Sequence, residues 1–345
     1  MEVRRGAFGS VFKCGIDVMA NPKPRSERQK VKKFLQYIFA RILVGTLSIF
    51  PYVLRGKILF YIIRFLAKTT GATKKRIERH IRTAFPQKSE SEIQEYILHN
   101  LRNLSHMANE FCEEPRMSRK FIDKWVTFLP DKETHTRLFE KGGILVLGHL
   151  GNWETMGVSI CYTAPKNDLY VFAKRQSNPW SNAWIERNRA SQRIKLVYTD
   201  ESPRKALTLL KQGKLVAFIS DQDAGKTGSF FPFLGNMAST FLGPATFSRM
   251  TDVPILFCSS WYDKTGKLYF HVEEFERPDL DPRKDPELWE REFTYKWVKR
   301  LEEEVYKHPA DYFWLHRRWH TKPENKEELD KFWKEFQSSS KSSKV

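Results

Sequence analysis

The sequence predicts an α/β fold with a mostly parallel central sheet covered by helices. From Gly142 onward, short apolar runs alternate with helical segments, which is typical of a largely parallel sheet. Helix signals fall between the apolar runs; for example, Ser202 is a predicted N-cap, Pro203 follows it in the first turn, and Gly213 ends the helix. The expected strands are 144–147, 169–173, 195–198, 215–220 and 254–260, with an added edge strand over 268–272.

Four further helices are predicted on either side of this region. A basic helix covers 74–84 and is ended by Pro86. Ser89 and Glu92 have the spacing of a capping box, and apolar residues recur after them at helical intervals. A long helix is expected over 286–308. A charged helix over 323–336 precedes a serine- and lysine-rich tail, which we expect to be disordered.

The most apolar stretch of the chain covers residues 34–54. Its length is close to the ~20 residues that cross a bilayer, but Arg41 lies inside it and Pro51 near its end. A second apolar stretch, 58–67, contains Arg64, and both flanks are basic. We predict an uncleaved membrane anchor that spans the bilayer or lies in its interface, with the basic flanks cytoplasmic. The alternative is a buried helical hairpin.

The predicted boundaries are a mobile basic N-terminus (1–30), anchor helices (31–72), the α/β domain (73–336) and a disordered tail (337–345).

The charge of the chain indicates an anionic partner. Its 345 residues carry a formal net charge of +18, which suits nucleic acid, an anionic membrane surface or a phosphorylated substrate. No nucleic-acid-binding motif accompanies that charge, so we predict no nucleic-acid partner.

The four cysteines are far apart and form no Cys-x-x-Cys pair. This spacing argues against a zinc knuckle or a disulfide framework and favours a reducing compartment; we predict neither a metal nor a cofactor.

One motif carries recognisable chemistry: residues 142–154 read Gly-Gly-Ile-Leu-Val-Leu-Gly-His-Leu-Gly-Asn-Trp-Glu. A spacing of five residues would put His149 and Glu154 about 140° apart on one helix, so His149 is expected in the strand-to-helix turn. Glycines permit that turn, and Asn152 is a plausible N-cap. Histidine has an unperturbed pKa of about 6.5 and accepts protons near neutral pH. We predict that His149 is a general base oriented by Glu154; the alternative is a histidine that only caps the strand end.

The motif resembles the active-site motif of glycerolipid-type acyltransferases, and its neighbours resemble the lipid A biosynthesis (lauroyl/myristoyl) acyltransferase family. That family runs Gly-His-x-Gly-Asn-Trp-Glu, then Asp-x-Asp-x-Gly with a Phe-Phe-Gly-like turn, then a Trp-x-His-Arg-Arg-Trp-like ending. This chain has the same motifs in the same order, at 148–154, 221–225 with 231–235, and 314–319. The resemblance covers roughly residues 34 to 320. It implies an acyl carrier protein donor, a phosphorylated glycolipid acceptor, and a bacterial inner membrane with the site facing the cytoplasm.

Two acidic residues could support the histidine. Asp221 and Asp223 follow the predicted strand 215–220 and therefore lie at the same sheet edge as His149. A related branch of these acyltransferases has a carboxylate near this point that contacts the histidine, which makes Asp223 a candidate. The alternative is a turn-forming pair of aspartates before a glycine.

Basic residues near the same edge could bind a phosphate. The resemblance to the wider acyltransferase class implies such a role for a basic residue in this region, and arginine suits phosphate because it binds in a bidentate manner. The Phe-Pro-Glu-Gly motif of that wider class is absent, which favours a lipid A acceptor over a glycerol phosphate. His316, Arg317 and Arg318 match the family's ending without a deducible role. The candidates are Lys174, Arg175, Arg187 and Arg189.

The sequence therefore predicts a membrane-associated O-acyltransferase of the lipid A type. One alternative is a phosphatidylinositol-mannoside or glycerolipid acyltransferase that uses acyl-CoA. Another is a non-catalytic basic protein that binds membranes or nucleic acid, although this leaves the histidine motif unexplained.

Overall fold

The computed structural model describes residues 27–342. Five helices precede the first strand: α1 (Glu27–Leu47), α2 (Tyr52–Thr70), α3 (Ala72–Ala84), α4 (Glu90–Glu113) and α5 (Arg119–Trp125). The predicted capping box opens α4: Ser89 accepts a hydrogen bond from the backbone N–H of Glu92, and the Glu92 carboxylate accepts one from the Ser89 N–H at 2.9 Å. Of the predicted mobile N-terminus, residues 1–26 lie outside the described part, whereas 27–30 form the first turn of α1.

A seven-stranded sheet forms the centre of the molecule. Its strands are β1 (Val126–Leu129), β2 (Gly143–Leu147), β3 (Leu169–Ala173), β4 (Ile194–Tyr198), β5 (Leu215–Ile219), β8 (Ile255–Tyr262) and β9 (Leu268–Glu274). They lie in the order β1-β9-β8-β2-β5-β3-β4, and the run from β8 to β4 is entirely parallel. The prediction of a mostly parallel sheet is confirmed, and all six predicted strands are present with ends that differ by at most two residues.

Two features of the strands differ from the prediction. The expected edge strand, β9, is antiparallel to β8 but is covered on its other side by β1, so β1 is the true edge. A separate antiparallel hairpin, β6 (Ser229–Phe233) with β7 (Asn236–Thr240), was not predicted. Pro232 within β6 lowers its strand signal, since proline cannot donate a ladder hydrogen bond.

Helices cover both faces of the sheet. They are α6 (Lys132–Glu140), α7 (Trp153–Thr163), α8 (Pro179–Ser191), α9 (Pro203–Lys211), α10 (Gly243–Arg249), α11 (Pro286–Lys307) and α12 (Lys326–Ser342). Along β2, Ile144 and Val146 pack into one core with Trp297 of α11, whereas Leu145 and Leu147 pack into a second core with Met156 of α7. Because side chains alternate along a strand, this burial on both faces explains the continuous apolar runs. The last helix continues to Ser342, which is inside the tail that was expected to be disordered.

The predicted anchor region forms helices α1 and α2. Many of their large apolar side chains are exposed, which is incompatible with the buried-hairpin alternative. The most exposed are Phe39 and Ile42 of α1 and Tyr61 and Phe65 of α2, and Ile49 between the two helices is also exposed. Within residues 27–342, no helix has the length and unbroken apolar character needed to cross a bilayer. The anchor therefore stays a prediction.

The three described cysteines are free and buried: Cys112, Cys161 and Cys258. Burial raises the pKa of the Cys161 thiol to about 11. These thiols are therefore protonated near neutral pH, as expected for small buried apolar side chains. Cys14 lies outside the described residues.

Candidate active site

His149 lies in the turn between β2 and α7, as predicted. Asn152 caps the helix: its side-chain oxygen accepts from the backbone N–H of Glu154 at 3.0 Å and of Thr155 at 3.2 Å. Gly151 has a φ of +64°, and a Cβ placed there would lie 2.3 Å from the carbonyl oxygen of Ser260. Only glycine fits such a position. The turn thus holds the imidazole at the carboxyl edge of the sheet, where α/β proteins place their sites.

The carboxylate that orients the imidazole is Asp221. Its Oδ1 accepts from His149 Nδ1 at 2.6 Å, and its Oδ2 accepts from the His149 backbone N–H at 2.9 Å. The sheet register explains the contact. Leu147 of β2 pairs with Ile219 of β5, so two residues further along each chain His149 lies beside Asp221. Of the two aspartates predicted as support, the structure thus brings Asp221 to the histidine.

Asp221 is held in its ionised form. The side chain is buried, and burial by itself would raise its pKa. The charge of His149 and its two hydrogen bonds outweigh burial and bring the pKa of Asp221 below its ordinary value. An ionised carboxylate can only accept, so His149 Nδ1 carries a hydrogen, and in the neutral form of the ring Nε2 presents a lone pair.

Glu154 is not the orienting residue that the motif predicted. Its carboxylate forms an ion pair with Arg189 of α8, in which Arg189 Nε donates to Oε2 at 2.9 Å and Nη2 donates to Oε1. Trp153 Nε1 donates to the same carboxylate at 3.2 Å. Glu154 lies in the first turn of α7, where its side chain is directed towards α8, whereas the strand pairing brings Asp221 to the imidazole. The predicted hydrogen bond between Glu154 and His149 is therefore wrong.

Aromatic side chains enclose the imidazole. The ring of Trp153 is edge-on at a centroid distance of 4.5 Å, Phe313 is stacked at 6.3 Å, and His316 lies at 4.8 Å. Only 8% of the surface of His149 is exposed. The Nε2 lone pair faces the amide of Gln222, whose nitrogen lies 3.0 Å away. Burial, followed by the charge of His149, lowers the pKa of His316 to about 4, so that His316 is neutral at physiological pH.

A buried polar network fixes the turn from behind. Glu110 of α4 accepts from the Asn152 side chain at 2.7 Å and from Thr155 Oγ1 at 2.5 Å. Tyr52 of α2 donates to the same carboxylate at 3.3 Å, which connects the N-terminal helices to the site. Burial raises the pKa of Glu110 to about 7 although these hydrogen bonds oppose the rise. On the β8 side, Ser260 Oγ accepts from the Asn152 N–H at 3.1 Å.

The four candidate phosphate-binding residues fall into two groups. Arg189 is paired with Glu154, and exposed Arg175 is paired with Asp200 at 2.9 Å while its guanidinium stacks over the Tyr198 ring. Lys174 and Arg187 are exposed, and within residues 27–342 neither of them has an ion pair. Lys174 follows directly after β3 and Arg187 lies in α8, so both cations are free to meet a ligand.

The remaining motif residues support the fold. Asp223 accepts from the backbone N–H of Thr321 at 3.2 Å and from its Oγ1 at 2.8 Å, so it holds the C-terminal segment instead of the histidine. Arg318 is buried and donates to the carbonyl oxygen of Ser239 and to Thr240 Oγ1. Arg317 is exposed. In the described part of the chain, no group of three or more side chains has the arrangement of a metal site.

A narrow apolar cavity of about 30 Å³ lies beside the site, between α7 and the sheet. Trp153 and Glu154 are at one end, and the lining includes Met156, Gly157 and Ile194. This volume suits roughly one water molecule, so an acyl chain would have to widen the cavity to enter it.

The comparison with family models decides the identity of the chain. Residues 22–321 match the model described as bacterial lipid A biosynthesis acyltransferase. The chain belongs to this family. It is therefore an O-acyltransferase, and the strand-to-helix turn with His149 lies within the matched region.

Curated relatives agree with this assignment. A lipid A biosynthesis palmitoleoyltransferase from Escherichia coli is 26% identical over 270 residues, which covers 75% of this chain and 81% of the relative. A lipid A biosynthesis acyltransferase from Shigella flexneri matches with the same identity and coverage. A lauroyltransferase of lipid A biosynthesis from E. coli is 24% identical over 257 residues, covering 72% of this chain and 80% of the relative.

Several residues of the site were not predicted, among them Gln222, Ser260 and Glu110. Gln222 stands between two aspartates that were noted, and the strand pairing that places Asp221 beside His149 also places Gln222 at the site. Ser260 and Glu110 lie 108 and 42 residues from Asn152 along the chain. Such long-range contacts leave no local signal in a single sequence.

Proposed function

We propose that this acyltransferase moves a fatty acyl chain from an acyl carrier protein thioester to a hydroxyl group of a phosphorylated lipid A precursor. The observation that carries the proposal is the pairing of His149 with ionised Asp221 inside the region that matches the family model. The names of the three relatives refer to lipid A biosynthesis, which supports the acceptor class. The net charge of +18 favours an acidic carrier protein and a phosphorylated lipid.

His149 acts as the general base in this proposal. Its Nε2 takes the proton of the acceptor hydroxyl while the hydroxyl oxygen attacks the thioester carbonyl carbon. The carbon–sulfur bond then breaks, and the leaving thiolate takes the proton back from Nε2. Asp221 holds the hydrogen on Nδ1 and stabilises the imidazolium that forms. A positioned base contributes typically ~10²–10⁴ in rate.

The negative charge that develops on the former carbonyl oxygen can be stabilised by a backbone N–H of the turn. The Asn152 N–H already donates to Ser260 Oγ. The N–H groups of Glu154 and Thr155 donate to the Asn152 side chain. We propose the Trp153 N–H, at the positive end of helix α7, as the donor to this oxygen.

The membrane association that we propose rests on exposed apolar side chains. Helices α1 and α2 present aromatic and aliphatic residues to solvent and carry basic residues between them. Such helices bind anionic lipid surfaces through both apolar burial and charge attraction. This supports contact with a lipid surface, and we propose the cytoplasmic side of a bacterial inner membrane, as the resemblance to the family implies. Lys174 and Arg187 are the proposed contacts for an acceptor phosphate.

The donor and the acceptor can be tested together with purified protein. Acyl carrier protein thioesters and acyl-CoA are each offered with a lipid A precursor, a phosphatidylinositol mannoside or a lysophosphatidate, and the products are identified by mass spectrometry. We expect acyl transfer from the carrier protein to the lipid A precursor. Transfer only from acyl-CoA to one of the other lipids would replace this proposal with the glycerolipid alternative.

A further inference from the structure

The Gln222 side chain bridges two imidazole rings. Its Nε2 lies 3.0 Å from His149 Nε2 and 2.7 Å from His316 Nε2. The amide nitrogen carries two hydrogens and no acceptor, so each histidine nitrogen must present a lone pair. For His149 this agrees with the proton that ionised Asp221 holds on Nδ1. For His316 it agrees with the neutral form, in which the hydrogen is on Nδ1.

The amide therefore occupies the position of the proton donor in the proposed reaction. A hydroxyl that gives its proton to His149 must lie within about 3 Å of Nε2, which is where the Gln222 amide nitrogen is found. The imidazole itself is buried beneath Trp153 and Phe313, whereas the Gln222 side chain is exposed. Gln222 is thus the group between the basic nitrogen and solvent.

Gln222 can leave this position without disturbing the fold. Its neighbours are fixed, since Asp221 is bonded to His149 and Asp223 to Thr321. The backbone carbonyl oxygen of Gln222 accepts from Arg318 Nη1 at 3.4 Å, so the main chain is also held. Rotation of one exposed side chain is therefore enough to uncover His149 Nε2.

We propose that Gln222 caps the base of the resting enzyme, so that water is kept from His149 and the thioester is cleaved only when an acceptor hydroxyl displaces the amide. This inference rests on the proposed function. It adds a role for Gln222 in deciding whether the acyl group goes to the acceptor or to water. Without the cap, water gives its proton to His149 Nε2 while its oxygen attacks the thioester carbonyl carbon. The carbon–sulfur bond breaks, the thiolate takes the proton from Nε2, and the products are a free fatty acid and the carrier thiol.

The first test measures release of the carrier thiol with an acyl carrier protein thioester and no acceptor. We expect Gln222→Ala to raise this hydrolysis by about two- to tenfold, the change that one hydrogen bond makes. Gln222→Met keeps the length of the side chain but has no donor, and we expect it to behave like the alanine variant. Gln94→Ala, which removes a surface glutamine of α4, is the matched control and should leave hydrolysis unchanged. A hydrolysis rate in Gln222→Ala equal to that of the wild type would overturn the cap. A raised rate in Gln222→Ala with an unchanged rate in Gln222→Met would show that the hydrogen bond is not what keeps water out.

The second test needs no substrate. Diethylpyrocarbonate reacts with the unprotonated nitrogen of histidine, and peptide mass spectrometry gives the modification rate of His149 relative to exposed His320. We expect Gln222→Ala to raise that ratio by about two- to tenfold. An unchanged ratio would overturn the cap even if the enzyme transfers acyl groups as proposed. A raised ratio in a protein that transfers no acyl group would keep the cap and reject the proposed function.

Discussion

Asp221 binds both the side chain and the main chain of His149, with one carboxylate oxygen on Nδ1 at 2.6 Å and the other on the backbone N–H at 2.9 Å. The two contacts fix the ring's position and its tautomer together. They follow from the parallel pairing of β2 with β5, which brings the residues after the two strands side by side. The basic nitrogen, on the other side of the ring, thereby faces the Gln222 amide.

Loss of the Asp221 carboxylate should impair catalysis while the fold is retained. In Asp221→Asn the side chain no longer determines which imidazole nitrogen carries the hydrogen, and it cannot stabilise the imidazolium. We expect kcat to fall about 10²–10⁴-fold, with a smaller change in KM. Asp223→Asn is the control, because Asp223 only holds Thr321. Equal losses of kcat in the two variants would show that Asp221 has no special relation to the base.

The ion pair between Glu154 and Arg189 should stabilise the fold near the site without affecting the role of His149 as the base. Glu154→Gln leaves a half-buried guanidinium without its partner, and we expect the free energy of unfolding to fall by about 1–3 kcal/mol. The pH–rate profile should keep its shape, because the contact between His149 and Asp221 is untouched. The exchange Glu154→Arg with Arg189→Glu should restore part of the stability. A profile whose acidic limb moves in Glu154→Gln would instead support the orienting role that the motif suggested.

Glu110 should make stability depend on pH. Its folded-state pKa of about 7 lies above the ordinary value of 4.5 because of burial, so the folded state holds the proton more tightly than the unfolded state. The group therefore lowers the free energy of unfolding as the pH rises from about 4.5 to about 7, by roughly 3 kcal/mol at most.

Glu110→Gln removes this titration, so the decline over that range should be smaller than in the wild type. Denaturant unfolding at a series of pH values measures the difference. Burial raises the pKa of Asp311 to about 7 and of Glu114 to about 8. These two groups therefore also lower the free energy of unfolding as the pH rises, and their contribution remains in the Glu110→Gln variant. Glu95→Gln, on the exposed side of the same helix, should leave the wild-type curve unchanged. Parallel curves for wild type and Glu110→Gln would contradict the prediction.

The exposed apolar residues of α1 should bind a lipid surface. Phe39 is 69% exposed and Ile42 63% exposed, and burial of each such side chain is worth about 1.5–3 kcal/mol. We expect Phe39→Ser and Ile42→Ser each to weaken binding to anionic phospholipid vesicles by about tenfold or more, measured by co-sedimentation. Leu280→Ser, at an exposed position in a loop, should bind like the wild type. Unchanged binding by both α1 variants would exclude this helix as the contact surface.

Local patterns were enough to predict most of the fold. Strands buried on both faces and capped helices depend on residues that are adjacent in the sequence. The capping box at Ser89 and the Asn152 cap are examples. The edge was assigned to the wrong strand because β1 has only four residues and one of them alone is buried.

The site was predicted in part for the same reason. His149 and its turn depend on consecutive residues, whereas its partner depends on which strands lie side by side. Glu154 is close to His149 in the sequence and Asp221 is 72 residues away, yet the β2–β5 register brings only Asp221 to the imidazole. Spacing along the chain could not distinguish these carboxylates without the order of the strands.

The most direct test of the central claim is an acyl-transfer assay of the His149→Ala variant. Purified wild type, His149→Ala and the surface control His320→Ala are given acyl carrier protein thioester and lipid A precursor, and the acylated product is quantified by mass spectrometry. We expect His149→Ala to lose about 10²–10⁴-fold in kcat with its circular dichroism spectrum and vesicle binding intact, and His320→Ala to match the wild type. Wild-type turnover by His149→Ala would show that this histidine is not the base.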